Sequence, residues 1–160
     1  MHPEKSKIVY CKDGSRKGKY LNTEFDFLGY TFRPRAVKNR KSDSMFVSFS
    51  PAVSSKALTA MRQTTRRWCY RKHSELSLED IARKSNPILR GWLEYYGRYC
   101  PSAMYPMLRH FNMTLVAWAM RKYKRLKGRK IRAILFIEGI SKSRPDLFIH
   151  WKREMIGAFA

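Results

Sequence analysis

A chain of 160 residues is long enough to bury one core, or a core with an appendage. Its 34 Lys and Arg against 12 Asp and Glu leave a formal charge of +22. That excess repels itself within a folded chain and points to a polyanionic partner, RNA or DNA ahead of an anionic membrane surface.

Several classes drop out on the same grounds. No apolar run is long enough to span a membrane, and no secretory leader opens the chain. Cys11, Cys69 and Cys100 are too far apart for a zinc motif or a disulfide framework. They read as small buried or half-buried residues in a reducing, cytoplasmic compartment. His2, His73, His110 and His150 are equally scattered, and none is assigned a ligand role.

In chain order, Lys7 to Cys11 (KIVYC) carries β-formers and leads into turn chemistry at Asp13-Gly14. Lys12, Arg16, Lys17 and Lys19 make a basic loop that either sits in solvent or meets phosphate. Phe25, Phe27, Tyr30 and Phe32 surround Leu28-Gly29, where the glycine marks a bulge or a tight bend of a β-hairpin. Arg33-Pro34-Arg35 is expected to stop the hairpin. Ala36 to Ser44 then reads as a basic loop, and Met45 to Ser50 as a short strand.

From Val53 the apolar period becomes helical. Val53, Ala57, Ala60, Met61 and Trp68 share one side of a helix ending near Lys72, with Arg62, Arg66 and Tyr70 opposite. Ser77 caps a short helix that runs to about Lys84, with Asp80 reaching back. Asn86-Pro87 interrupts it and opens a separate helix to Cys100, Asn86 capping and Pro87 in the first turn. In that helix Ile88, Leu89, Leu93, Tyr95, Tyr96 and Tyr99 flank Trp92, and Arg90 can pair with Glu94 on the wet side. Gly91 and Gly97 each cost helix stability, which points to close approach by a neighbouring helix or a nucleic-acid backbone.

Ser102 is expected to cap a long helix in which Met104, Leu108, Phe111, Leu115 and Trp118 recur at helical spacing. Its end, Arg121-Lys122-Tyr123-Lys124-Arg125, carries more cations than a helix dipole alone explains and reads as a phosphate-binding collar before the stop at Gly128. Ile131 to Ile137 fits a buried helix or a strand, helix being preferred because Arg129, Lys130 and Arg132 precede it without turn residues, and Leu147 to Trp151 reads as an apolar latch. The fold expected is mainly α: a helical bundle of three or more helices over residues 51–160, preceded by a small β-hairpin unit over residues 1–50.

Catalysis needs convergent groups, and none is visible. Asp13, Asp26, Asp43, Asp80 and Asp146 are never paired as a two-metal site requires, and no phosphate loop or hydrolase motif occurs. No catalytic residue, metal ligand or cofactor is expected of this chain.

The order of motifs nevertheless carries a resemblance. KIVYCKDGSRKGKY followed by FDFLGYTFRPR resembles the last β element of the reverse-transcriptase palm in group II intron-encoded proteins. SPAVSSKALTAMR, NPILRGWLEYYGRY, WAMRKYKRLKGR and PDLFIHW resemble the maturase-specific (X, or thumb) domain that follows it, so the likeness runs from about Lys5 to Trp151. It implies that Phe27, Leu28, Gly29 and Tyr30 match the hairpin that grips the primer strand, and that the helices hold the RNA/DNA template-primer duplex and, in splicing, group II intron RNA. In that family the YADD-type aspartates, with their magnesium, lie upstream in a palm not found in this sequence. The chain is therefore expected to be a truncated piece of a mobile-element reverse transcriptase/maturase that does not polymerise alone.

The leading expectation is an RNA-binding fragment. Its phosphate contacts would be Arg62, Arg66, Lys72, Arg98, Arg121, Lys122, Lys124 and Arg125, with Lys17, Arg33 and Arg35 from the hairpin unit. The alternatives are a subunit that assembles in trans with a separate palm to restore an RNA-directed DNA polymerase, and a general basic RNA-binding assembly protein.

Overall fold

A computed structural model describes residues 8–16, 18–39 and 42–153. The chain divides into two compact units, Met1–Ala57 and Leu58–Ala160. Mainly α is the class observed, with a small antiparallel sheet before the helices.

In the first unit, strands β1 (Phe25–Phe27), β2 (Tyr30–Lys38) and β3 (Met45–Val53) form a meander in the order β1-β2-β3. Leu28 (φ 48°) and Gly29 (φ 79°) both lie in the left-handed region, as a two-residue hairpin loop of the primed type demands. Gly29 therefore marks the tight bend rather than a bulge. Phe25 pairs with Phe32 across the strands, their rings stacked at 4.8 Å, and Phe49 on β3 extends the cluster.

Two expectations fail here. Pro34 does not stop the hairpin: β2 continues to Lys38, paired along its length with β3. The reason is that β1 pairs only with Tyr30 to Phe32, so beyond Phe32 the other side of β2 carries no strand among the described residues, and a missing N–H costs nothing there. Pro51 is tolerated within β3, an outer strand, for the same reason. KIVYC, in turn, forms no strand over its described residues. Tyr10 N–H makes one bond to Asn22 O at 2.9 Å, and Asp13 Oδ1 takes the N–H groups of Ser15 and Arg16 in a local turn. Lys7 and Lys17 lie outside the described residues.

The second unit is built of α1 (Ser55–Arg67, which begins in the first unit), α2 (Leu78–Tyr96), α3 (Tyr105–Lys122), α4 (Lys130–Ser143) and the short α5 (Ile149–Lys152). Helix α3 is its axis. Met107, Leu108, Phe111, Leu115, Val116, Trp118 and Ala119 are all fully buried, so α3 is apolar on more than one face and is enclosed rather than laid on a surface. Trp68 meets Phe111 edge-on at 6.0 Å and stacks on Trp92 at 6.0 Å, which places the Trp92 face of α2 against the end of α1.

Helix α1 stops earlier than the pattern suggests. Cys69 takes a left-handed backbone (φ 48°) and turns Tyr70 into the core instead of leaving it opposite Trp68. Val53 belongs to β3. Cys11 and Cys69 are exposed, contrary to expectation, and Cys100 is half-buried.

The expected break at Asn86-Pro87 is absent: α2 is one helix, with Pro87 inside it. It opens on a capping box in which Ser77 Oγ accepts from Asp80 N–H at 3.1 Å while Asp80 Oδ2 accepts from Ser77 N–H at 3.0 Å. Those bonds from Ser77 hold the Asp80 carboxyl below its ordinary value. Ile81, Ala82, Ser85, Leu89 and Leu93 then bury one stripe running past the proline, and this burial outweighs the lost N–H at an exposed position. Tyr95 and Tyr99 stay exposed, so the buried face is narrower than the aromatic pattern implies. Glu94 stands 3.8 Å from Arg153 rather than pairing with Arg90. A Cβ on Gly97 would fall 2.5 Å from Leu93 O, so that glycine serves the helix's own end; Gly91 has open space above it and the chain itself gives no reason for it. Ser102 does not cap α3, which is entered from a 3-10 turn, Pro101–Met104.

Asn86 has a different task. Its Nδ2 donates to Leu147 O at 2.9 Å and its Oδ1 accepts from Ile149 N–H at 3.1 Å, so α2 holds the expected latch by its backbone. A second asparagine, Asn112 of α3, is fully buried and accepts through one Oδ1 from His150 Nε2–H at 2.8 Å and Trp151 Nε1–H at 3.2 Å. The latch is thus polar as well as apolar. Replacing Asn86 by alanine leaves two half-buried backbone groups without their partner and is expected to cost roughly 1–3 kcal/mol. Thermal melting of Asn86→Ala beside Asn86→Asp, which keeps only the acceptor, tests this: an unchanged melting point for both would dismiss the clamp.

Helix α4 forms where Ile131 to Ile137 suggested, with Ala133 and Ile137 buried; Ile131 and Leu135, however, are 75% and 60% exposed.

Candidate nucleic-acid interface

Arg62 and Arg66 stand four apart and so share one face of α1, just beside the buried stripe of Met61 and Thr65. Across from them α3 presents Tyr105, Arg109, His110 and Met113. The two helices bound a cavity of about 620 Å³ at this place. A second cavity of about 340 Å³ adjoins it through Arg66, His110 and Met113, and continues past Tyr70, Arg71 and Lys72. Together they make a groove along α1 and α3 lined by Arg62, Arg66, Arg71, Lys72 and Arg109, with no carboxylate among the described residues of either wall.

The groove is electrostatically unbalanced. Burial, with Arg66 and Arg62 nearby, pushes His110 below its ordinary value, so the imidazole is neutral at pH 7. Arg62 Nε and His110 Nε2 are buried without a hydrogen-bond partner. Such groups ordinarily find one, since leaving them bare costs free energy. A guanidinium can only donate, and what it lacks here is an acceptor.

The other expected contacts are dispersed. Lys122 is committed within the fold: its Nζ donates to Leu76 O at 2.7 Å and lies 5.2 Å from the centre of the Trp118 ring. Arg125 lies 5.5 Å from the Phe136 ring, and Tyr123 packs between Trp118 and Phe136. Only Arg121 and Lys124 of the collar are exposed without such a tie among the described residues, and Arg98 is exposed in the loop after α2. In the sheet unit Arg33 is exposed, whereas Arg35 donates to Ser50 O and Thr31 O, both at 3.3 Å. Phe27 and Leu28 stand out at the hairpin tip, 59% and 67% exposed, while Tyr30 is buried.

Arg71, Arg109 and His110 line the groove and were not singled out from the sequence. Their spacing on α3 and after α1 is legible there; that α1 faces α3 is not.

Comparison with known families bears on the same stretch. Residues 58–135 match the family model of the group II intron, maturase-specific domain. No curated protein and no solved structure matches the chain. The maturase-specific match opens within α1 and ends within α4, so every residue of the α1/α3 groove falls inside it. It supports a maturase-type region here and does not reach the sheet unit. Among the described residues no helix is long and apolar enough to cross a membrane, and no three or more His, Cys, Asp or Glu side chains are grouped as a metal ion needs.

Proposed function

We propose that the helical unit is the RNA-binding part of a group II intron maturase, holding intron RNA during splicing through phosphate contacts along the α1/α3 groove. The observation that carries this reading is a groove of cations with no carboxylate among its described lining, lying wholly within the segment that matches the maturase-specific domain. Arg62, Arg66 and Lys72 line it, joined by Arg71 and Arg109. Arg98, Arg121 and Lys124 extend the contact outside it, and Lys122 and Arg125 act chiefly by positioning the collar. Recognition is by shape and backbone, as A-form RNA requires.

Filter binding to a structured group II intron RNA at rising salt tests the proposal. Log affinity should fall linearly with log salt, and Arg62→Gln with Arg66→Gln should flatten the slope by about 0.7–0.9 for each phosphate left without its cation. A flat salt curve removes the reading. Equal displacement by unrelated structured RNA turns it into a general basic RNA-binding assembly protein.

A second reading rests on the sheet. The side of β2 beyond Phe32 carries no strand among the described residues, and Phe27 and Leu28 are exposed at the tip. An open edge accepts a further strand. Residues 1–50 would then be the last palm element, with Phe27, Leu28, Gly29 and Tyr30 against a primer strand, residues 51–160 the thumb, and a separate palm the partner that supplies magnesium-dependent chemistry on a template-primer duplex. Mixing the chain with such a palm and finding no primer extension would discard it.

A further inference from the structure

We infer that the 620 Å³ cavity between α1 and α3 is a site for one unstacked nucleotide of the bound RNA, its phosphate on Arg62, Arg66 and Arg109 and its base against Tyr105. This rests on the reading of the helical unit as an RNA-binding part. It goes beyond that reading, because contact along a duplex backbone needs only exposed cations, not a cavity.

Three observations converge. The volume falls in the range of roughly 300–1,000 Å³ typical of sites for small organic ligands, far more than a lone phosphate group fills. The lining is of two kinds: Arg62, Arg66 and Arg109 supply cations, and Tyr105, Pro106 and Met113 supply apolar surface, the two chemistries that a nucleotide itself combines in its phosphate and base. Two residues that line the cavity, Arg62 and His110, also each carry a buried nitrogen, Nε and Nε2, with no partner among the described residues. With three guanidiniums and no carboxylate in the described lining, the fitting occupant carries an anionic oxygen.

The test compares two RNA hairpins of equal length, one fully paired and one carrying a single bulged uridine. Wild-type chain should bind the bulged hairpin about tenfold more tightly. Tyr105→Ala should abolish that preference. Tyr105 is 36% exposed, so losing its ring spares the core, and binding of the paired hairpin reports whether the variant is folded. Arg62→Gln should lower affinity for the bulged hairpin more than Lys84→Gln, which removes the same charge from an exposed position on α2 outside the groove. Uridine monophosphate should also displace the bulged hairpin at lower concentration than inorganic phosphate does. Equal, salt-sensitive binding of both hairpins by the wild type would overturn the nucleotide site and leave RNA binding standing. Binding of neither would overturn both.

Discussion

Lowering the pH from 7 to 4 is expected to remove about 3 kcal/mol of the helical unit's stability through His150 alone. The side chain is fully buried, and burial pushes its pKa down to about 3. Its Nε2–H is given to Asn112 Oδ1, so the neutral ring presents Nδ1 as a bare lone pair that is buried and has no partner among the described residues. A proton taken up there would leave a buried cation with no partner among the described residues. In the unfolded chain the same group titrates near 6.5, so between about pH 6.5 and 3 the unfolded state binds the extra proton. Stability is therefore complete above pH 6.5 and declines by about 1.4 kcal/mol for each unit below it until the folded value is reached. His110, also pushed down, adds in the same direction. Denaturant titrations from pH 4 to 8 at constant ionic strength measure the effect; the ionic strength must be held because a charge of +22 makes the fold itself sensitive to salt. His150→Gln, which keeps a donor for Asn112, should be less stable at pH 7 and lose most of the acid slope. A variant that keeps the full slope would show that another group is responsible.

Truncating Phe111 to alanine is expected to cost about 3–5 kcal/mol, a large share of the roughly 5–15 kcal/mol that holds a domain of this size. The ring is fully buried in α3 and meets three others: Trp68 at the end of α1 at 6.0 Å, Phe148 of the latch at 5.6 Å and His150 at 5.5 Å. Elements distant in the chain thus converge on one side chain, and none of them can move into the void without pulling away from its other neighbours. Phe111→Leu, which keeps most of the volume, should cost less than about 1.5 kcal/mol. Urea unfolding of both variants decides the matter, and a loss below about 1.5 kcal/mol for alanine would mean that the site collapses around the gap. Because Arg109 and His110 precede Phe111 on the same turn, the alanine variant should also bind intron RNA more weakly even where it is still folded.

Local chemistry was enough for several features. The Ser77 and Asp80 pair names its own helix start, because both bonds close within three residues. Gly29 between two aromatic runs names a bulge or tight bend of a hairpin, because glycine takes a left-handed backbone at no steric cost. The apolar spacing from Met104 to Trp118 names a buried helix, and the cation excess names a polyanion. Other features depend on what lies across the fold. Pro87 breaks a helix only if nothing rewards its continuation, and the reward is a stripe buried by distant elements. Pro34 stops a strand only if both sides of it are paired. Asn86 reads as a cap until the latch arrives to use it, and Lys122 reads as a phosphate ligand until the Leu76 carbonyl accepts its N–H. Local spacing and composition thus set the elements whose bonds close within a few residues, together with the charge they must display. Which cations face one groove, and which are consumed in packing, follows from contacts across the fold, since the half-buried Trp68 just past the end of α1 packs on Phe111 of α3, a meeting that no local spacing encodes.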